Sequence, residues 1–152
     1  MSMISRRRTL FIAGSAVILP LRAFAAAEPM RVTLYKNPQC DCCEGYADYL
    51  RQNGFAVDVV PTNDLITMAR DKGVPEALDG CHISMIDSYV VIGHVPIDAV
   101  RKLLAQRPEI IGISIPGMPT GLPGMPGPRP APIAIYEIAA GDGEPKVFMM
   151  TS

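Results

Sequence analysis

Seven prolines and four glycines crowd the seventeen residues 116–132. Proline has a fixed φ and no amide proton, so such a run excludes both a helix interior and a sheet ladder. The stretch is expected to be an extended loop, and it confines regular structure to the residues on either side. It contains a half-repeat, Pro116-Gly117-Met118-Pro119 and Pro123-Gly124-Met125-Pro126, seven residues apart. After it, residues 133–138 and 146–151 read as a closing hairpin around Gly141-Asp142-Gly143.

Ahead of the loop, strand and helix signals alternate. Residues 31–35 alternate polar and apolar, as a strand does, and Pro38 breaks that strand. Tyr46, Ala47 and Leu50 suit a helix running from Cys43 to the stop at Asn53-Gly54. Residues 55–60 make a second strand, and 64–72 a short helix behind an Asn63 or Asp64 cap. Residues 82–87 and 89–92 form two strands about the Asp87-Ser88 turn. Pro96 then opens a third helix to about residue 106. The order β-α-β-α-β-β-α is that of an α/β, thioredoxin-like plan carrying a Pro/Gly/Met-rich loop and a C-terminal hairpin. In open α/β sheets, ligands sit beyond the carboxyl ends of the strands.

The first residues have another logic. Arg6-Arg7-Arg8, an apolar stretch over 10–21 and the run Ala23-Phe24-Ala25-Ala26-Ala27 form the three parts of an export signal. The apolar stretch is short for a membrane span. Residues 1–27 are therefore expected to be a signal peptide, of the Sec or twin-arginine type, and 28–152 a single exported domain. The leader holds four arginines and no acids, so the remainder carries 10 basic and 15 acidic residues, a net −5. An acidic exported domain without a basic stripe argues against nucleic-acid binding.

The chemistry concentrates at residues 40–43, Cys-Asp-Cys-Cys, which open the first helix. Two readings compete there. Cys40 and Cys43 have the spacing of a thiol–disulfide redox pair. A helix N-terminus lowers a thiol pKa, so Cys40 would be the nucleophile and Cys43 the resolving thiol. Against this, Cys42 adds a third adjacent thiol. Oxidoreductases of this plan also carry a cis-proline before the third strand, where this chain has Cys81-His82.

The alternative is a metal site, with Cys81 reaching Cys40, Cys42 and Cys43 from the opposing loop. Thiolates and thioethers select Cu(I) and zinc over harder cations, and four thiolates alone equally suit structural zinc. Met118 and Met125 tilt the choice toward Cu(I), since their loop has little need of them for packing. Met68, Met85, Met149 and Met150 read as core filler. His82 and His94 are each either structural or ligands. Two structural disulfides fit poorly, because Cys42 and Cys43 are adjacent.

Taken together, Tyr35-Lys36-Asn37-Pro38-Gln39-Cys40-Asp41-Cys42-Cys43, Gly73-Val74-Pro75, Cys81-His82, Gly93-His94-Val95-Pro96 and 112–119, Gly-Ile-Ser-Ile-Pro-Gly-Met-Pro, resemble the CopG-like metal-binding proteins. These are exported, thioredoxin-like proteins of bacterial copper-resistance operons. The resemblance spans most of residues 31–126. It implies periplasmic copper binding, with Cys40, Cys42 and Cys43 as principal ligands and Cys81, His94, Met118 and Met125 as further ones. Other periplasmic copper-handling proteins are candidate partners, and the resemblance leaves open whether members store copper, pass it on or change its oxidation state. The family often has glycine where this chain has Asp41, which puts a carboxylate beside the thiolates. Copper binding, with a redox role between Cu(I) and Cu(II) open, is the expected function, and binding is favoured over turnover.

Overall fold

The computed structural model describes residues 28–129, 131–141 and 143–151. The expected signal peptide, residues 1–27, lies outside the described residues, as does Asp142 of the expected final turn.

Strand β1 (Arg31–Lys36) leads into helix α1 (Asp41–Gln52), strand β2 (Ala56–Pro61) and helix α2 (Leu65–Asp71). A 3₁₀ turn over Glu76–Leu78 precedes β3 (His82–Ile86), β4 (Tyr89–Ile92) and helix α3 (Ile97–Gln106). The chain closes with β5 (Gly112–Ser114), β6 (Ala134–Ile138) and β7 (Val147–Met150). The order of elements up to α3 is the expected one, with boundaries moved by one or two residues. The larger difference is β5. Three residues are too short to show a period of two, and this strand pairs parallel to β4 and antiparallel to β6. It thereby attaches the closing hairpin to a single mixed sheet of order β2-β1-β3-β4-β5-β6-β7.

Side-chain alternation divides the sheet into two apolar faces. Val32 and Leu34 of β1 and Ile86 of β3 share one cluster with Tyr46, Ala47 and Leu50 of α1 and Val100 and Leu103 of α3. Ile83 of β3 and Val90 and Ile92 of β4 face the other way, onto Ala69 of α2 and Leu78. The molecule is thus three layers, with α1 and α3 on one side and α2 on the other. Among the described residues, no helix is long and apolar enough to cross a membrane.

The Pro/Gly-rich segment is a loop, as its composition requires, but it is fastened. Gly117 N–H donates to the Asp79 carbonyl at 3.3 Å, and Gly117 bridges to Gly80 just ahead of β3. Seven residues later the loop lies against α1. A Cβ on Gly124 would sit 2.6 Å from the Tyr46 nitrogen, and one on Gly45 would sit 3.2 Å from the Gly124 Cα. Only paired glycines permit that approach, and Gly124 also needs its positive φ of 76°. Leu122 beside it is buried in the α1/α3 cluster.

Candidate metal centre

Local sequence builds the first half of the site. Asn37-Pro38-Gln39 turns the chain out of β1, with Gln39 N–H donating to Asn37 Oδ1 and Cys40 N–H to the Asn37 carbonyl, each at 3.0 Å. Cys40 then stands at the N-cap of α1, where its side chain makes no capping bond. Cys40 and Cys43, one helical turn apart with Cα atoms 5.7 Å from each other, are joined as a disulfide. Cys42 and Cys81 are half-buried free thiols.

Sheet register builds the second half. Lys36 pairs with His82 across the antiparallel β1–β3 ladder, and Ile83 pairs with Ile92 across β3–β4. The end of β1, the start of β3 and the exit of β4 therefore meet at one edge. This brings Cys81 to the cysteines of α1, as the sequence reading expects. Cys40 Sγ lies 3.4 Å from Cys42 Sγ, and Cys43 Sγ lies 3.6 Å from the Cys81 carbonyl oxygen. All four sulfurs fall within 4.8 Å of one another.

Behind Cys81 lies a buried imidazole pair. Cys81 Sγ is 3.3 Å from His82 Nδ1 and 3.4 Å from His94 Nε2. The Tyr46 ring backs both, with centroids 4.7 Å from His82 and 5.4 Å from His94, while its hydroxyl donates to the Val95 carbonyl at 2.9 Å. Burial pushes the Tyr46 hydroxyl far up, so it stays a donor. Burial, and then the neighbouring His94, push His82 down to about 3 against a small opposing effect of the Gly93 backbone. Burial lowers His94 too, with the Pro123 carbonyl pulling the other way. Both rings are therefore neutral near pH 7, each with one lone-pair nitrogen. The Cys81 thiol is pushed up to about 12, chiefly by burial and then by Cys42. An incoming metal must displace its proton.

The methionines take unequal places. Met118 is 61% exposed and lines a 630 Å³ cavity together with Cys40, Cys42 and Cys81. Met125 is partly buried against the α1/α3 cluster.

Sequence reasoning missed one member of the site. Lys36 is buried, and its Nζ donates to the Cys40 carbonyl at 2.9 Å and pairs with Glu44 at 3.0 Å. The signal was present in the sequence. Lys36 stands in the inward phase of a strand whose other inward residues are Val32 and Leu34, and a charge there needs a reason. It ties the cysteine loop to the sheet.

Fold and site define a class: a mixed α/β protein whose clustered cysteines, drawn from two distant segments, could hold a metal ion at one sheet edge. Residues 78–125 match the family model described as "Protein of unknown function, DUF411". Two solved structures, forms 1 and 2 of copper resistance protein CopG, are each 31% identical to this chain with a TM-score of 0.74. Each covers 82% of this chain, and the match spans 98% and 100% of their own lengths. No curated protein matches the chain. The protein belongs to the CopG family of copper resistance proteins.

Proposed function

We propose that this is a periplasmic copper-resistance protein that binds Cu(I) through Cys40, Cys42, Cys43 and Cys81. The observation that carries the reading is the convergence of four sulfurs, from α1 and from the start of β3, within 4.8 Å. Bridging thiolates let several soft cations share so small a volume. Met118 at the cavity mouth adds a thioether, and Met125 and His94 complete the expected ligand set. Export under the leader at residues 1–27 delivers the protein to where copper is exchanged with other copper-handling proteins. The portion from β1 to α3 is read as a thioredoxin-like domain.

Full occupancy requires reduced sulfur. The Cys40–Cys43 disulfide must take up two electrons and two protons, from a dithiol donor that is itself oxidised to a disulfide, to give two thiols. The protein would then have a metal-loaded reduced form and a disulfide form of lower copper capacity. The same disulfide favours a second reading, thiol–disulfide exchange by Cys40 and Cys43. One experiment separates the two. Fully reduced protein is titrated anaerobically with Cu(I) against a chromogenic chelator, with thiols counted before and after. Copper above one equivalent with all four thiols masked supports the copper reading. Failure to compete for Cu(I), with rapid turnover of a dithiol substrate, overturns it in favour of exchange.

A further inference from the structure

The Cys40–Cys43 pair sits at the very start of α1, and helix ends are where a fold opens first. We propose that Lys36 is a positioning residue for this pair: it clamps the first turn of α1 to the sheet when the disulfide is open, and so sets how readily the pair is reduced and re-formed. The inference rests on the disulfide, which both readings above share, and not on the metal.

Three observations carry it. The first is a buried charge where an apolar side chain would pack as well. Lys36 is 4% exposed and continues the inward phase of Val32 and Leu34. A lysine so deeply placed is rare. Packing gives no reason for it, because apolar residues commonly replace a buried ion pair without loss of stability. Nor does it serve a buried carboxylate, since the Glu44 side chain is 53% exposed.

The second is the geometry of the clamp. Lys36 Nζ reaches both ends of the first helical turn, at the Cys40 carbonyl and at the Glu44 carboxylate. Those two residues bracket the disulfide. The carbonyl of an N-cap residue accepts the first intrahelical bond, so the ammonium grips the acceptor on which the turn is built. A bond from an ionised donor is also stronger than a neutral one. Behind the ammonium, the lysine itself is fixed. Its carbonyl accepts from Thr62 N–H at 2.8 Å, and it pairs with Pro61 of β2 on one side and His82 of β3 on the other.

The third is the unequal hold on the two cysteines. Cys43 is 0% exposed and packs within the α1/α3 cluster, so the core fixes it. Cys40 is only part-buried and has no side-chain cap, and its N–H bonds back to the Asn37 turn. Once the S–S bond opens, the Lys36 bond is what ties the Cys40 carbonyl to the sheet.

The consequence follows from the dithiol state. Two thiols held in bonding geometry re-form their disulfide with a high effective concentration. Without the clamp, the opened Cys40 gains conformations, whereas in the closed form the S–S bond already restrains it. Loss of the clamp therefore shifts the balance toward the dithiol. Reduction breaks the Cys40–Cys43 bond with two electrons and two protons from an external dithiol, which closes to its own disulfide.

The test equilibrates the metal-free full chain, at one pH, with mixtures of reduced and oxidised dithiothreitol. Alkylation and peptide mass mapping then count the Cys40–Cys43 disulfide. Lys36→Met keeps an unbranched chain and removes the donor. Its equilibrium constant for forming the disulfide is expected to fall about tenfold, equal to about 30 mV. Glu44→Gln, at the exposed end of the clamp, should lower it about threefold or less. Amide hydrogen exchange over the first turn of α1 should quicken in the dithiol form of Lys36→Met and not in its disulfide form. A merely structural role would loosen both forms alike. A constant unmoved in Lys36→Met, a shift toward the disulfide (the sign of a cation acting on thiolates), or exchange that quickens equally in both forms overturns the proposal. If Lys36→Met does not fold, Lys36→Met with Glu44→Gln, which leaves no unpaired charge, takes its place. Cu(I) titration of the parent is scored separately: a parent that takes no Cu(I) removes only the copper reading, and an unmoved constant removes only the clamp.

Discussion

The two Pro-Gly-Met-Pro tetrapeptides are the same sequence put to different uses. Their glycines adopt nearly the same backbone, with φ of 73° at Gly117 and 76° at Gly124. Their surroundings differ. A Cβ on Gly117 would meet nothing within 4 Å, whereas one on Gly124 would run into the backbone of α1. The first copy is held by its own main chain, through Asp79 and Gly80, and leaves Met118 at the mouth of the sulfur cavity. The second copy is wedged against Gly45 and Tyr46, passes the Pro123 carbonyl to His94, and turns Met125 toward the core. Local chemistry sets the shape of such a turn, and its neighbours decide whether it is an anchor or a movable edge.

The contrast is sharpest in stability. Gly124→Ala forces a Cβ into a left-handed position and into the α1 backbone. The expected loss is about 3 kcal/mol or more, read from the denaturant midpoint of the metal-free protein. Gly117→Ala meets the conformational penalty alone and should cost about 1–2 kcal/mol in the same measurement. Equal losses for the two variants would break the comparison. Met125→Leu keeps the volume of a packed side chain and should cost less than about 1.5 kcal/mol. Met118→Leu, on an exposed side chain, should leave the unfolding midpoint unmoved, yet lower Cu(I) affinity by about tenfold or more in competition with a chelator. An unchanged affinity for Met118→Leu would remove that methionine from the ligand set.

The site was unevenly legible in the sequence. The cysteines at 40, 42 and 43 were plain, because a proline turn and a helix start fix their position locally. Cys81 was placed correctly by assuming the fold, since only the antiparallel β1–β3 pairing brings it across. His82 and His94 looked alike as lone histidines. Their pairing behind Cys81 depends on the register that sets Ile83 opposite Ile92, which no local pattern encodes. Lys36 was overlooked because one charged residue at a strand end usually means exposure. Strand β5 was missed for want of length, and with it the fact that the closing hairpin joins the main sheet.

By itself the sequence determined where the chain must turn, which residues carry soft ligands and where helices begin. Those features arise from proline and glycine geometry, side-chain period and thiol chemistry, all of which act over a few residues. Tertiary structure alone decided which sulfur faces which nitrogen, which of two identical tetrapeptides is pinned, and that a lysine lies beneath the cysteine loop. Those outcomes depend on strand register and, for the pinned tetrapeptide, on backbone contact with a helix about eighty positions earlier. Such contacts are selected by packing the whole core at once.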